Sequence, residues 1–401
     1  MSEVQHIRLG EIITVDHGFA FPGGFFSSDL RFPILVTPGN FEIGGGFKVT
    51  ISPKTFKGAY SEAYVLSPGD LLITMTDLSK AGDTLGLPAV VPDDGNTYLH
   101  NQRIGKVRII EPHLVASKFL SYYLRTDRYR KHILSTASGS TVRHTSPARI
   151  TDFEADLPSM AKQLAIAELL GALDDKIAAN VTLTQLIDEL LATWLADALA
   201  RESVRIVPLG EIASVNAAVL RPGNGQLRYI DIAAVGVGSF EYPELTDWAD
   251  APSRARRKVS LGDTLWSSVR PNRRSHALNL IDDSSLVAST GLAVLTPVRT
   301  GFAYLYEVTK RREFSDYLET IAEGSAYPAV RADRFDAAPV SLLPDDARNQ
   351  FESVAAPMRW RAHSATVENR LLAKLRDALL PDLMSGKLRV PDAEEQVEAV
   401  M

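Results

Sequence analysis

Two clusters of cations carry the clearest chemistry in this 401-residue sequence. Arg254, Arg256, Arg257 and Lys258 form one; Arg270, Asn272, Arg273 and Arg274 form the other. A guanidinium is a planar fork of donors that fits phosphate oxygens and the edge of guanine, and an Asn amide fits adenine. The second cluster follows a strand-like run and contains Pro271, so it reads as a projecting loop, open between nucleic-acid contact and a solvated turn. The first cluster reads as phosphate-binding. The amino-terminal half is less basic. Its candidates are Lys54 and Lys57, Thr76 to Lys80, Arg103, Ser140 and Arg143. Ser325, Tyr327 and Arg331 occupy the stretch of the second half that corresponds to Ser140 and Arg143. Gly139 and Gly324 either let the backbone approach a phosphate or close ordinary turns. Asn101-Gln102-Arg103 either reaches bases or closes a turn.

Other chemistries find little support. The sequence has no cysteine, which excludes disulfides, thiolate nucleophiles and Cys-ligated zinc. It contains no Gly-x-x-x-x-Gly-Lys phosphate loop, no Asn-Pro-Pro-Tyr or Asp-Pro-Pro-Tyr and no Glu-x-Lys. Asp174-Asp175-Lys176 falls in a long helical pattern and reads as a solvated face. The eight histidines are scattered without metal-ligand spacing. The chain is therefore expected to hold no catalytic residue, metal or cofactor of its own. A formal net charge of −6 opposes simple nucleic-acid binding unless the acids lie apart from the basic clusters. Asp392, Glu394, Glu395 and Glu398 do lie apart, in a terminal segment (391–401) expected to lack fixed structure. No run of about 18 apolar residues and no leader pattern occurs, so a soluble cytoplasmic protein is expected.

The elements that must position these residues come in two copies. Leu9-Gly10-Glu11-Ile12 returns as Leu209-Gly210-Glu211-Ile212, 200 residues later. Pro68-Gly69-Asp70-Leu71-Leu72 resembles Leu261-Gly262-Asp263-Thr264-Leu265, offset by 193, and Ala137-Ser138-Gly139-Ser140 resembles Ala322-Glu323-Gly324-Ser325, offset by 185. Matches in one order with drifting offsets indicate a repeated module whose loops differ in length. Each copy reads as short strands bounded by Gly and Pro, then a short helix, then a long one. The first long helix is expected over 159–201, with apolar lines through Ile166, Leu173, Ile187 and Trp194 and a polar break at Asn180 and Thr184. The second is expected over 345–380, with Pro357 kinking it. Helices of about 40 residues span roughly 60 Å, too long for one small core, and their heptad lines predict an antiparallel coiled coil with a polar central layer. Leu169, Leu190, Trp194, Leu371 and Leu379 widen the apolar stripe and are candidate partner-binding residues.

This organisation resembles the specificity subunit of type I restriction–modification enzymes over about residues 5–390. The residues that carry the resemblance are Leu-Gly-Glu-Ile at 9–12 and 209–212, Gly18-Phe19-Ala20-Phe21, the strand at 69–73, Asn101-Gln102-Arg103, Ser138 to Thr141, Leu157-Pro158 with Gln163, and Leu379 to Gly386. The second half lacks the Gly-Phe-Ala-Phe stretch. The resemblance implies an α+β fold: two pseudo-symmetric target recognition domains (1–158 and 204–344) and two long helices (159–203 and 345–390) forming an antiparallel coiled coil. It implies a non-catalytic subunit that binds double-stranded DNA, each domain reading half of a split target through the major groove. It further implies two methyltransferase subunits docked on the helices, translocase–nuclease subunits beyond them, and S-adenosylmethionine, ATP and Mg held by those partners. The other classes left open are an assembly scaffold without its own DNA readout and an unrecognised enzyme.

Overall fold

The computed structural model describes residues 4–50, 52–324 and 328–399. Ser325 and Tyr327 lie outside the described residues. The chain forms two compact units, residues 1–177 with 370–401 and residues 178–369, so each long helix contributes one part to each unit.

In the first unit, the strands Ile13–His17, Ile104–Ile109, Leu71–Thr74 and Pro88–Val90 lie side by side in that order, all antiparallel. Leu71–Thr74 is central and buried along its whole length, as its unbroken apolar run requires, whereas Ile13–His17 alternates buried and exposed positions. A second sheet runs Phe26–Ser27, Thr55–Phe56, Ile34–Val36, Tyr98–His100, Val65–Leu66. Its one parallel pair joins Ile34–Val36 to Tyr98–His100. Gln5–Arg8 pairs with Glu154–Leu157, which leads into the first long helix.

The second unit repeats this plan. Ala213–Val215, Leu292–Pro297, Thr264–Ser267 and His276–Leu278 form an antiparallel sheet in the same order. Leu245–Asp247, Gln226–Ile230, Leu286–Ser289 and Ala255–Lys258 form the other, with its single parallel pair again in the middle. Arg205–Pro208 pairs with Pro339–Leu342, which leads into the second long helix. The fold is α+β with two pseudo-symmetric halves, as the repeated motifs imply.

The long helices are Met160–Arg201 and Asp345–Ser385. The second runs unbroken through Pro357 and past the expected end at Leu380. Leu383 is buried there, and the helix stops at Gly386, whose φ of 72° lets its amide turn back to Leu383. In the first unit Ile166, Leu170 and Leu173 share a core with Leu372, Leu379 and Leu383. In the second unit Asn180 donates to Glu368 (2.7 Å) and Asn369 (2.9 Å), and the rings of Trp194 and Phe351 lie 5.1 Å apart. Partners fall in number as positions on the first helix rise, which is antiparallel pairing with a polar layer at Asn180.

The terminal segment corrects an expectation. Val390–Glu398 is a helix, with Pro391 in its first turn and Arg389 paired with Asp392. Ala393 and Val397, four residues apart, are buried in the first core. This one apolar stripe outweighs the acidic composition that suggested disorder. Among the described residues, no helix is long and apolar enough to cross a membrane.

Candidate nucleic-acid interface

In the first unit, three separate candidate stretches meet at one edge. Leu71–Thr74 continues into Thr76–Asp77, which pairs with Arg143–His144. Arg143–His144 closes a small hairpin on Ser138, with the Ser138 and His144 amides exchanging bonds of 3.0 and 2.8 Å. Gly139 sits at the tip with φ +90°, and a Cβ there would collide with the Val142 carbonyl. Its function is therefore to close the turn. The Met75 amide donates to the Arg103 carbonyl (2.8 Å), so the Asn101-Gln102-Arg103 turn joins the same edge. Gln102 and Arg103 are exposed beside Phe19, which is 41% exposed. The edge thus offers Arg103, Gln102, Ser140, Lys80 and an aromatic face to solvent.

The loop after Asp77 is held from inside. The Asp77 carboxylate accepts from the amides of Ser79 (2.6 Å) and Thr84 (2.5 Å) and from the Thr84 hydroxyl (2.8 Å). Burial pushes this carboxyl up, but those donors outweigh it and leave its pKa below the usual range. Arg130 reaches the carbonyls of Leu85 and Gly82, and Arg143 Nε donates to the Lys80 carbonyl at 2.9 Å. Two expected contacts are therefore corrected. Thr76 is buried and its hydroxyl pairs with His144 at 3.1 Å. Arg143 spends its Nε on loop support. Sequence reasoning missed Arg130 and the bracing role of Asp77, because nothing local marks a carboxylate or a helical arginine as loop scaffolding.

The second unit builds the same corner from different parts. Thr264–Ser267 continues to Val269, which bridges to Ala329, and Ala329 also bridges to Glu323. The Arg270 amide donates to the Pro328 carbonyl at 2.7 Å. Pro271–Arg273 is a short 3-10 turn flanked by Arg270 (φ 52°) and Arg274 (φ 54°), both left-handed and unusual for arginine. Pro271 is buried as the anchor, Asn272 and Arg273 are exposed, and Arg274 donates to the Lys310 carbonyl at 3.1 Å. Behind the turn lies His276, which is 4% exposed, stacked on Trp266 at 4.9 Å and bonded to the Arg274 carbonyl at 2.7 Å. Burial pulls its pKa down to about 4, so it is neutral at pH 7. Arg331 is exposed and pairs with Glu323 at 3.3 Å.

Arg254 to Lys258 lies elsewhere, on and beside the edge strand Ala255–Lys258. Arg254 and Lys258 are exposed, and Arg256 donates to the Ala255 carbonyl at 2.9 Å. Arg257 is a correction: it turns inward to the Leu292 carbonyl, and burial lowers its pKa. Lys54 and Lys57 are exposed on the second sheet of the first unit, Lys54 lying 4.8 Å over the Phe26 ring. They are not part of the corner. Of the candidate helix residues, Leu190 and Leu371 are each 51% exposed. Leu169 and Leu379 are buried in the core, and Trp194 is half-buried against Phe351. Leu186, 57% exposed and one turn before Leu190, was missed. Among the described residues no cluster of His, Asp and Glu is arranged to hold a metal ion.

Residues 1–189 match the family model described as the type I restriction modification DNA specificity domain. The fold is similar to the crystal structure of the type I restriction–modification system S subunit from M. genitalium, with a TM-score of 0.59 at 13% identity, covering 95% of this chain and 96% of that one. The first 189 residues are thus similar to the type I specificity domain family. A member from Haemophilus influenzae, the type I restriction enzyme HindI specificity subunit, is 22% identical over 157 residues, which is 38% of this chain and 34% of the relative. The chain thus spans about a third of the length of that curated relative. The solved structure speaks for the fold alone, and the family model covers the first half of the chain. The second half repeats the strand order of the first.

Proposed function

We propose that this chain is the non-catalytic DNA-recognition subunit of a type I restriction–modification complex in the cytoplasm. Each half reads one part of a split, asymmetric target through the major groove. The observation that carries this reading is the corner repeated in both halves: a loop leaving the mid-domain strand, paired through its backbone with the segment that precedes the last strand, and exposing different polar side chains in each copy. Arg103, Gln102, Lys80 and Ser140 face one half-site; Asn272 and Arg273 face the other. Lys54, Lys57, Arg254 and Lys258 bind phosphate and set register. The long helices set the unread gap between half-sites, and Leu186, Leu190 and Leu371 dock two methyltransferase subunits. Those subunits, with translocase–nuclease subunits, bring S-adenosylmethionine, ATP and Mg.

The test is selection of genomic duplex fragments by the purified chain, alone and with its methyltransferase partner, at one salt concentration. Enrichment of a single bipartite sequence with a fixed gap is expected, and removal of one heptad from each long helix should change the gap but not the bases. A second reading, an assembly scaffold without DNA readout, draws on the net charge of −6. Absence of any enriched sequence in both samples would favour it.

A further inference from the structure

The pairing of the two long helices is polarised. In the first unit, Asp174 on the first helix accepts from Arg376 on the second at 2.6 Å, and from the Tyr122 hydroxyl at 2.6 Å. In the second unit, Asp188 on the first helix accepts from Arg359 on the second and from Lys310, each at 2.6 Å. Arg359 is 6% exposed and its Nε also donates to Glu307, a buried carboxylate, at 2.6 Å. In each of these two ion pairs the acid lies on the first helix and the base on the second. Burial raises the Asp188 pKa, but Arg359 and Lys310 outweigh it and hold the carboxyl below the usual range.

A repeated module with a self-matching helix can pair with a second copy of itself. We propose that this polarity, with Asn180, forbids that: each half accepts only the other half as its helix partner. The strands before the helices end at Leu157 and Leu342, so equivalent positions lie 185 residues apart and Asp174 matches Arg359. In a pair of first halves, Leu191 would stand where Arg376 stands. Asp188, one turn from Leu191 on the same face, would approach Asp174. In a pair of second halves, Ala373 would stand where Asp188 stands, and Arg376, one turn away, would approach Arg359. Asn180, 2% exposed, would lose Glu368 and Asn369 in the first case. Like charges and the loss of the Asn180 bonds to Glu368 and Asn369 both oppose self-pairing, while the mixed pair gives Asp174, Asn180 and Asp188 each a partner on the other helix. The device is independent of which DNA the domains read. Its consequence is that two different recognition domains are always joined, never two of the same kind.

The experiment starts from the full chain with a protease site in the exposed turn at 202–204. The purified protein is nicked, unfolded in denaturant, refolded and weighed by native mass spectrometry. The mixed pair of 1–203 with 204–401 should exceed either self-pair by at least about tenfold, since self-pairing gives up two ion pairs and a buried amide. Asp174→Asn with Asp188→Asn removes the acid–acid repulsion and should bring first-half self-pairs up towards the statistical share. Self-pairs at statistical abundance in the parent, halves that fail to reassociate, or undiminished selectivity in the Asn variant would each overturn the proposal.

Discussion

The two corners share a backbone plan and differ in what their charged side chains do. In the first unit the loop after the mid-domain strand closes around the Asp77 carboxylate, with Arg130 and Arg143 turned towards its carbonyls. In the second a buried proline and two left-handed arginines hold a tighter turn, leaving Asn272 and Arg273 pointing outward. The lesson is that arginine count is a poor guide to a reading surface: Arg130, Arg143 and Arg274 are spent on loop carbonyls, while Arg103 and Arg273 stay exposed. Rigid support also suits recognition, because loops fixed by internal bonds need less ordering when they bind.

The comparison can be broken most forcefully at Asp77. Asp77→Ala strands two half-buried amides and a hydroxyl and should cost the first unit about 2–3 kcal/mol. All four tryptophans (194, 248, 266, 360) lie in the second unit, so their fluorescence is a private reporter. Circular dichroism should show an early transition that tryptophan fluorescence does not follow. If both signals shift together, the first corner is not an independently braced element.

Acid should act on the second unit through His276. Its folded pKa of about 4 lies below the unfolded value near 6.5, so the unfolded chain binds the proton first. The stabilisation is complete above pH about 6.5 and is lost as pH falls towards 4, by roughly 3 kcal/mol. His276→Phe keeps the stack on Trp266 and should flatten that slope in fluorescence-monitored denaturation. An unchanged slope would assign the acid sensitivity to other groups.

A smaller effect is expected at the probes. Asn272→Ala with Arg273→Ala should weaken binding by about 1–3 kcal/mol for the base pair read, while leaving the melting temperature unchanged. Competition with duplexes scrambled in one half-site should show the loss confined to one half. Smallest is Lys57→Ala, which should weaken all sequences equally and reduce the salt slope by about one. A sequence-dependent loss would promote Lys57 from phosphate contact to reader.

Much of the fold was legible because the same turn chemistry had to recur. Gly69 and Gly262 have φ of 87° and 85° before equivalent strands, and the offsets of the repeated motifs match the strands that pair. Pro158 and Pro344 each precede a long helix, and Asn180 marked the polar layer. Side-chain direction was not legible. Arg257 turns inward because the Leu292 carbonyl lies within reach, 35 residues away in sequence. Val390–Glu398 forms against a core that includes residues more than 200 positions earlier. Nor did the sequence reveal that each unit takes a part of both helices. Such facts depend on partners brought together only by folding.

The central claim, two halves reading two different half-sites, is tested most directly by mapping modified bases in the host genome. The map would be made with the intact gene and with the variant combining Asn272→Ala and Arg273→Ala. The account predicts a bipartite, asymmetric motif, relaxed in one half only when the second corner is stripped. A palindromic motif, or equal relaxation of both halves, would contradict it.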